Sequence, residues 1–131
     1  MSYTVYVAAE PSADGNFAVC EYFTTSDGNP DNQIDGSEIH IPKEAGECIF
    51  APAESTSLIL IGATFKTIGS VAGMNASNFA PADDFNNVSF SMPANTITKG
   101  VVLLFSTPGT VQNLYPSSDP QVINDGPSNC P

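Results

Sequence analysis

The feature that most constrains this chain is a short apolar run, Gly100-Val101-Val102-Leu103-Leu104-Phe105-Ser106-Thr107. β-branched and aromatic residues are frequent in it, and turn residues flank it at Lys99-Gly100 and Pro108-Gly109. Such a run predicts a strand that is buried on both faces. Ser57-Leu58-Ile59-Leu60-Ile61-Gly62 has the same character. We therefore expect the two runs to form the middles of two packed sheets.

The remaining apolar segments alternate with polar residues, as half-buried strands do. Ile39 and Ile41, for example, should point inward while Glu38 and His40 share the outer face. About eight strands at spacings of about ten residues predict an all-β protein, an antiparallel β-sandwich with Greek-key-like connections. The expected strands are Tyr3–Ala8, Phe17–Thr24, Glu38–Ile41, Cys48–Ala51, Ser57–Gly62, Val88–Met92, Gly100–Thr107 and Val111–Tyr115.

Three other segments complete the prediction of a single domain over residues 1–131. A further extended piece is expected at Lys66–Val71, and Ala72–Asn87 is interpreted as a loop with one helical turn capped near Ser77. Residues 117–131 should form a partly extended tail, in which Asp119–Asn124 adds a short edge strand.

The charge balance excludes several classes of partner. Lys43, Lys66 and Lys99 are the only cationic residues apart from the single histidine, against 14 Asp and Glu, and the formal net charge is −11. Nucleic acids and anionic membranes bind proteins through Lys and Arg, so neither is an expected partner. Segments of about 20 apolar residues, which a membrane span needs, are absent from the sequence. Cations and basic partners remain compatible with this charge.

The cysteines indicate a reducing compartment. Cys20, Cys48 and Cys130 make an odd number, and the first two fall inside strand patterns. No charged region followed by an apolar region opens the chain, so we expect a cytoplasmic protein with reduced thiols. The spacing between cysteines is too wide for a structural zinc site.

The segment from Asp27 to Glu38 carries the clearest ligand pattern. Aligned with the calcium loop of an EF-hand, it places six residues on ligand positions: Asp27, Asn29, Asp31, Gln33, Asp35 and Glu38. Ile34 takes the hydrophobic position, whereas Asn32 stands where the motif has Gly. The flanking segments are predicted strands and not the two helices of an EF-hand. We therefore expect an unliganded surface loop without a cofactor, with calcium binding as the alternative.

Catalytic constellations are not recognisable. His40 is the only histidine, it lies on a predicted solvent face, and no nucleophile-elbow motif accompanies it. Asp83-Asp84 and the pair Glu44 and Glu47 lack the aromatic cleft signature of a glycoside hydrolase. We expect that the protein is not an enzyme.

Glu10-Pro11 after the first strand and Asp119-Pro120-Gln121-Val122-Ile123-Asn124 near the end resemble features of the DP-EP family, a small group of uncharacterised bacterial proteins. The resemblance covers the full length and implies a single all-β domain, with no catalytic residues to carry over. The composition is also similar to that of bacterial inclusion-body proteins, which implies self-association.

Three functional hypotheses follow. The first is a soluble, acidic, non-enzymatic binding or self-assembling module whose strand edges or loops engage a partner, either a second copy or a protein or small molecule that the sequence does not identify. The second is a module stabilised by calcium through Asp27–Glu38. The third is a hydrolase that uses His40.

Overall fold

The computed structural model describes residues 2–68, 78–92, 98–108, 114–118 and 120–126. These residues form eleven strands and one 3-10 turn, Pro30–Asn32. The strands are β1 Ser2–Pro11, β2 Ala18–Phe23, β3 Gln33–Ile34, β4 Ile39–Pro42, β5 Glu47–Pro52, β6 Ile59–Ile68, β7 Asn78–Pro81, β8 Val88–Ser91, β9 Thr98–Ser106, β10 Leu114–Pro116 and β11 Gln121–Gly126. Within these ranges, no helix is long and apolar enough to cross a membrane.

The strands make two sheets that pack face to face, so the predicted β-sandwich is confirmed. The first sheet has the order β3-β2-β1-β5-β8, and the second has the order β4-β11-β9-β6-β7, with β10 also paired to β9. Most neighbours are antiparallel, but β1 pairs with β5 and β4 pairs with β11 in parallel. The sheets are therefore mixed, and the described strands outnumber the expected eight.

The core lies between the two sheets and is built from alternating inward side chains. Val5 and Val7 from β1 and Ile39 and Ile41 from β4 are at most 2% exposed, as the period-two pattern predicts. Aromatic rings occupy the centre: the centroid of the Phe50 ring lies 6.2 Å from that of Tyr22 and 6.0 Å from that of Phe90. These contacts are edge-on and stacked respectively, the arrangements that aromatic pairs favour.

The prediction that the two apolar runs are buried on both faces is wrong for the outer face. In β9, Val101, Leu103 and Phe105 are buried, whereas Val102 and Leu104 between them are only partly buried. The same alternation holds in β6, where Leu60 is buried and its neighbours are not. Only one face of the second sheet packs against the first, so half of each apolar run faces outward.

Two further expectations need correction. The segment 72–87, interpreted as a loop, contains β7, which pairs with β6 at the edge of the second sheet. The predicted edge strand near the end is β11, which lies inside the sheet between β4 and β9. The piece predicted at Lys66–Val71 continues β6 as far as Ile68. The helical turn near Ser77 and the thiol of Cys130 lie outside the described residues.

Candidate functional site

The first half of the acidic segment folds through local turns. The Asp27 carboxylate accepts hydrogen bonds from the Thr25 hydroxyl at 2.7 Å and from the Asn29 backbone N–H at 3.0 Å, which lower the pKa of Asp27. The Asn29 side chain in turn accepts the Asp31 N–H at 3.0 Å and caps the 3-10 turn. Asp27 and Asn29 therefore each close a turn, because each side chain accepts the backbone N–H of the residue two positions later.

The second half of the segment runs along the first sheet and then leaves it. Gln33 belongs to β3, pairs with Phe23 and donates its side-chain N–H to the Glu21 carboxylate at 3.3 Å. The Asp35 carboxylate accepts the backbone N–H and the hydroxyl of Ser37, at 2.9 and 2.8 Å, and these bonds lower the pKa of Asp35. The carboxylate of Glu38 lies 3.1 Å from His40 and so beside the second sheet.

The six residues of the calcium alignment are thus distributed over two turns, a strand and an ion pair. Among the described residues, no group of three or more His, Cys, Asp and Glu side chains is placed to hold a metal ion. The left-handed backbone conformation occurs at Gly28, whereas Asn32, at the motif's glycine position, does not adopt it. The structure does not gather these six side chains around one point.

His40 lies on the outer face of the second sheet between two carboxylates. Its Nδ1 is 2.6 Å from Asp125 Oδ1 and its Nε2 is 3.1 Å from Glu38 Oε1. The hydrogen bond with Asp125 contributes most to raising the pKa of His40, and the bond with Glu38 adds to it. Both ring nitrogens are therefore engaged with carboxylates, which favour the protonated form of the imidazole.

A cleft of about 430 Å³ lies beside the same acidic segment. Its walls come from β2, from the turn after β3, and from the residues between β10 and β11; they include Cys20, Glu21, Tyr22, Asp35, Ser37 and Ser118. The Tyr22 side chain is 5% exposed, and its hydroxyl is the buried side-chain polar atom without a hydrogen bond among the described residues. Burial raises the pKa of Tyr22, and it raises that of the Cys20 thiol to about 11.

The part of the outer face of the second sheet that β6, β7, β9 and β10 form is largely apolar. Six outward side chains from four adjacent strands define what we call the apolar outer face: Ile59, Ile61, Phe79, Val102, Leu104 and Leu114. Phe79 and Leu114 are the most exposed of these, at 59% and 56%. Phe79 lies across Gly62, where an added Cβ would come within 3.0 Å of its ring. Leu104 pairs with Gly62 on one side and with Pro116 on the other, so the face is continuous across the strands.

No family model matches this chain, and no curated protein matches it.

Sequence reasoning missed three elements of these sites. Asp125 is 85 residues from His40, and only the pairing of β4 with β11 brings them together. The unpartnered hydroxyl of Tyr22 depends on tertiary burial, which strand alternation does not report. The apolar outer face, by contrast, had a signal in the sequence, because two unbroken apolar runs contain more apolar side chains than one core face accepts.

The His40 cluster, which consists of His40, Glu38 and Asp125, should make the free energy of unfolding depend on pH. The hydrogen bonds of His40 with Asp125 and Glu38 raise its pKa in the folded state, so they stabilise the folded protein while the imidazole is protonated. This stabilisation is fully present below the ordinary pKa of 6.5 and is lost as pH rises through the raised folded-state pKa. We expect the difference in unfolding free energy between wild type and His40→Gln to be larger near pH ~5.5 than near pH ~8.5, measured by urea denaturation. Asp125→Asn should shrink this difference more than Glu38→Gln. An equal difference at both pH values would contradict the assignment.

The buried hydroxyl of Tyr22 should cost stability. An unsatisfied buried polar group costs about 1–3 kcal/mol, so Tyr22→Phe is expected to keep or raise the unfolding free energy, by about 1 kcal/mol. Tyr22→Ala should lower it by about 3 kcal/mol or more, because the ring packs against Phe50. Chemical denaturation distinguishes the two variants. A loss above about 1 kcal/mol in Tyr22→Phe would show that the hydroxyl is hydrogen-bonded.

Proposed function

We propose that this protein is a non-enzymatic, acidic binding module that self-associates through the apolar outer face of its second sheet. The observation that carries the proposal is the exposure of Phe79 and Leu114 beside partly buried Ile61 and Leu104. Scattered exposed apolar residues are ordinary on protein surfaces, but a contiguous apolar patch marks an interaction site.

The charge distribution favours a second copy of the chain as the partner. At a formal net charge of −11, two copies repel each other over most of their surface. The six residues of the apolar outer face are uncharged, and so are Gly62, Thr64 and Pro116 between them. Two copies can therefore meet on this face without opposing like charges. Glu38 and Asp125 flank His40 at the far margin of this sheet, on β4 and β11, and Asp83 and Asp84 lie just beyond the end of β7.

The size of the face indicates a weak, concentration-dependent dimer. Four strands at about 4.8 Å spacing and about six residues at 3.3 Å cover a patch of about 19 by 20 Å. That is about half of the roughly 800 Å² per partner that standard stable interfaces bury. We therefore expect a weak association, so the experiment must reach high protein concentrations.

Other features agree with a binding module in a reducing compartment. Cys48 is a buried free thiol and Cys20 a partly buried one, as expected for a cytoplasmic protein. The engagement of both His40 nitrogens with carboxylates supports a role without catalysis. Membership of the DP-EP family stays a prediction.

Calcium binding through Asp27–Glu38 is the alternative proposal. Four carboxylates lie within this short segment, and its Asp35 side chain is held in one orientation by Ser37. Binding would require the turns at Asp27 and Asp35 and the pair between Glu38 and His40 to rearrange around the ion.

Self-association should depend on the apolar outer face. We expect sedimentation velocity to show a dimer that grows with protein concentration up to about 500 μM and that is lost in the double variant Phe79→Lys/Leu114→Lys. The two lysines lower the net negative charge, so loss of the dimer cannot come from stronger repulsion.

The matched control is Phe17→Lys/Val19→Lys on the first sheet. Val19 lies in β2 and Phe17 directly precedes this strand, and the side chains of Phe17 and Val19 are 46% and 45% exposed, close to the exposure of Phe79 and Leu114. This control makes the same change in charge and should leave the dimer intact. Equal dissociation by both double variants, or a wild-type monomer at every concentration, would contradict the proposal.

The calcium alternative makes a separate prediction. Binding at about 100 times the dissociation constant stabilises a folded protein by about 2.7 kcal/mol, which raises the melting temperature by several degrees in a domain of this size. If the alternative holds, millimolar calcium raises the melting temperature of wild type relative to chelator, magnesium does not, and Glu38→Gln loses the rise. An unchanged melting temperature in calcium would remove this alternative and leave the dimer proposal untouched.

A further inference from the structure

We propose that the free edge of β8 binds a short, extended, basic peptide segment of a partner protein, which adds to the first sheet as a further strand. Three observations support the site: backbone groups that point away from β5, an apolar floor that the first sheet leaves partly uncovered, and carboxylates at both ends of the strand. The site lies at the edge of the first sheet and not on the apolar outer face, so this inference does not rest on self-association.

The backbone of β8 offers hydrogen-bonding groups on its outer side. In an antiparallel pair, only every second residue directs its N–H and C=O groups at the partner strand. Met92, directly after β8, donates its N–H to the Gly46 carbonyl before β5, and the same phase repeats at Phe90. Ser89 and Ser91 therefore direct their N–H and C=O groups away from β5. Because β8 is the last strand of its sheet, no strand among the described residues pairs with them.

The other described edge strands carry features that hinder strand addition. β7 and β10 contain Pro81 and Pro116, β4 contains Pro42 and carries His40 beside two carboxylates, and β3 has only 2 residues. Prolines, charged side chains and short length are the devices that protect sheet edges from pairing. The sequence of β8, Val-Ser-Phe-Ser, contains neither a proline nor a charged residue. Its edge is therefore open to an added strand.

The second sheet supplies an apolar floor for this strand. β5 contacts β6, and β8 contacts both β6 and β7, so the two sheets run in step and the position beyond β8 lies opposite β7. Ala80 in β7 and Ala82 directly after it pack against the core, yet both stay partly exposed. Alternate apolar side chains of an extended peptide would cover them. A floor of this kind favours a peptide over a small cation.

The charges around β8 indicate a basic peptide. At one end, the exposed Glu47 begins β5 beside the end of β8, and Lys43 and Glu44 in the preceding turn offset each other in charge. At the other end, the turn before β8 carries the exposed Asp83 and Asp84. Antiparallel pairing of two β8 strands would bring Glu47 of each copy toward the acidic turn of the other, so like charges disfavour a second copy at this edge. A peptide with Lys or Arg near both ends meets opposite charges instead.

The probe is a peptide with blocked termini, Lys-Thr-Val-Thr-Val-Thr-Lys. Isothermal titration calorimetry on the full chain at low salt should detect its binding. Only alternate N–H groups of an added strand face β8, so N-methylation of one alternate set of amides, Thr or Val, should abolish binding, and methylation of the other set should change the affinity by less than about threefold. Replacement of both Lys by Glu should also abolish binding.

Variants of the protein test the edge and the charges separately. Ser89→Pro removes one outward N–H without removing a bond to β5 and should weaken binding by about tenfold, whereas the matched control Ser89→Thr keeps the N–H and should stay within about twofold of wild type. Glu47→Gln/Asp84→Asn should weaken binding about fivefold. Asp31→Asn/Asp35→Asn makes the same change in charge beside β3, at the opposite edge of the sheet, and should weaken binding by less than about twofold.

Absence of peptide binding, equal loss with both methylated sets, or equal weakening by the two charge variants would each overturn the proposal. The methylated peptides are tested on the wild-type protein, so they decide the question even if Ser89→Pro does not fold. Loss of wild-type self-association in a folded Ser89→Pro variant would assign the edge to a second copy, and it would also overturn the proposal.

Discussion

A strand can bury only every second side chain in the interface between two sheets, and this constraint governs the whole molecule. The inward half of β6 and β9 supplies Leu60, Val101, Leu103 and Phe105 to a core in which each is at most 1% exposed. The outward half of the same strands carries Ile59, Ile61, Val102 and Leu104 but does not pack against the first sheet. The apolar outer face is thus a direct consequence of placing two continuous apolar runs in a sandwich of two layers.

The sequence predicts the architecture well wherever the signal is local. Alternation correctly orients Ile39 and Ile41 toward the core in β4, because the apolar residues of a period-two pattern mark the buried face of a strand. It does not predict the parallel pairing of β1 with β5, since side-chain periodicity does not encode which strand lies alongside. Strand β7 was missed because its sequence, Asn-Phe-Ala-Pro, carries only one strongly strand-forming residue.

Two of the candidate sites, the cleft and the pair of His40 and Asp125, were less predictable because distant segments assemble them. The calcium alignment of the acidic segment treats its oxygens as free, whereas turn formation engages Asp27, Asn29 and Asp35 with nearby N–H groups. The cleft next to this segment needs Ser118, which is distant from β2 in sequence, and only the sandwich topology brings the two together. His40 acquires Asp125 in the same way.

Lys99 illustrates how strongly the core constrains even a charged residue. Its side chain points inward from β9 and is 8% exposed, with the ammonium nitrogen 4.9 Å from the centroid of the Phe65 ring and 5.6 Å from that of Phe90. Burial lowers the pKa of Lys99, while the faces of the two rings offer a partial substitute for water. One of the few cations in the chain is thereby withdrawn from the surface, which leaves the exterior more acidic than the composition suggests.

The most direct test of self-association through an uncharged face is the response of the wild-type protein to salt. Repulsion between two chains of net charge −11 is screened as ionic strength rises, while contact between apolar surfaces is not weakened. We predict that sedimentation equilibrium will give a dimer association constant that increases several-fold between about 20 mM and 500 mM sodium chloride. Over this range the Debye length falls from about 20 Å to about 4 Å, so repulsion between the copies is increasingly screened. An association constant that decreases with salt would mean that ion pairs join the copies, and would contradict the assignment of the apolar outer face as the interface.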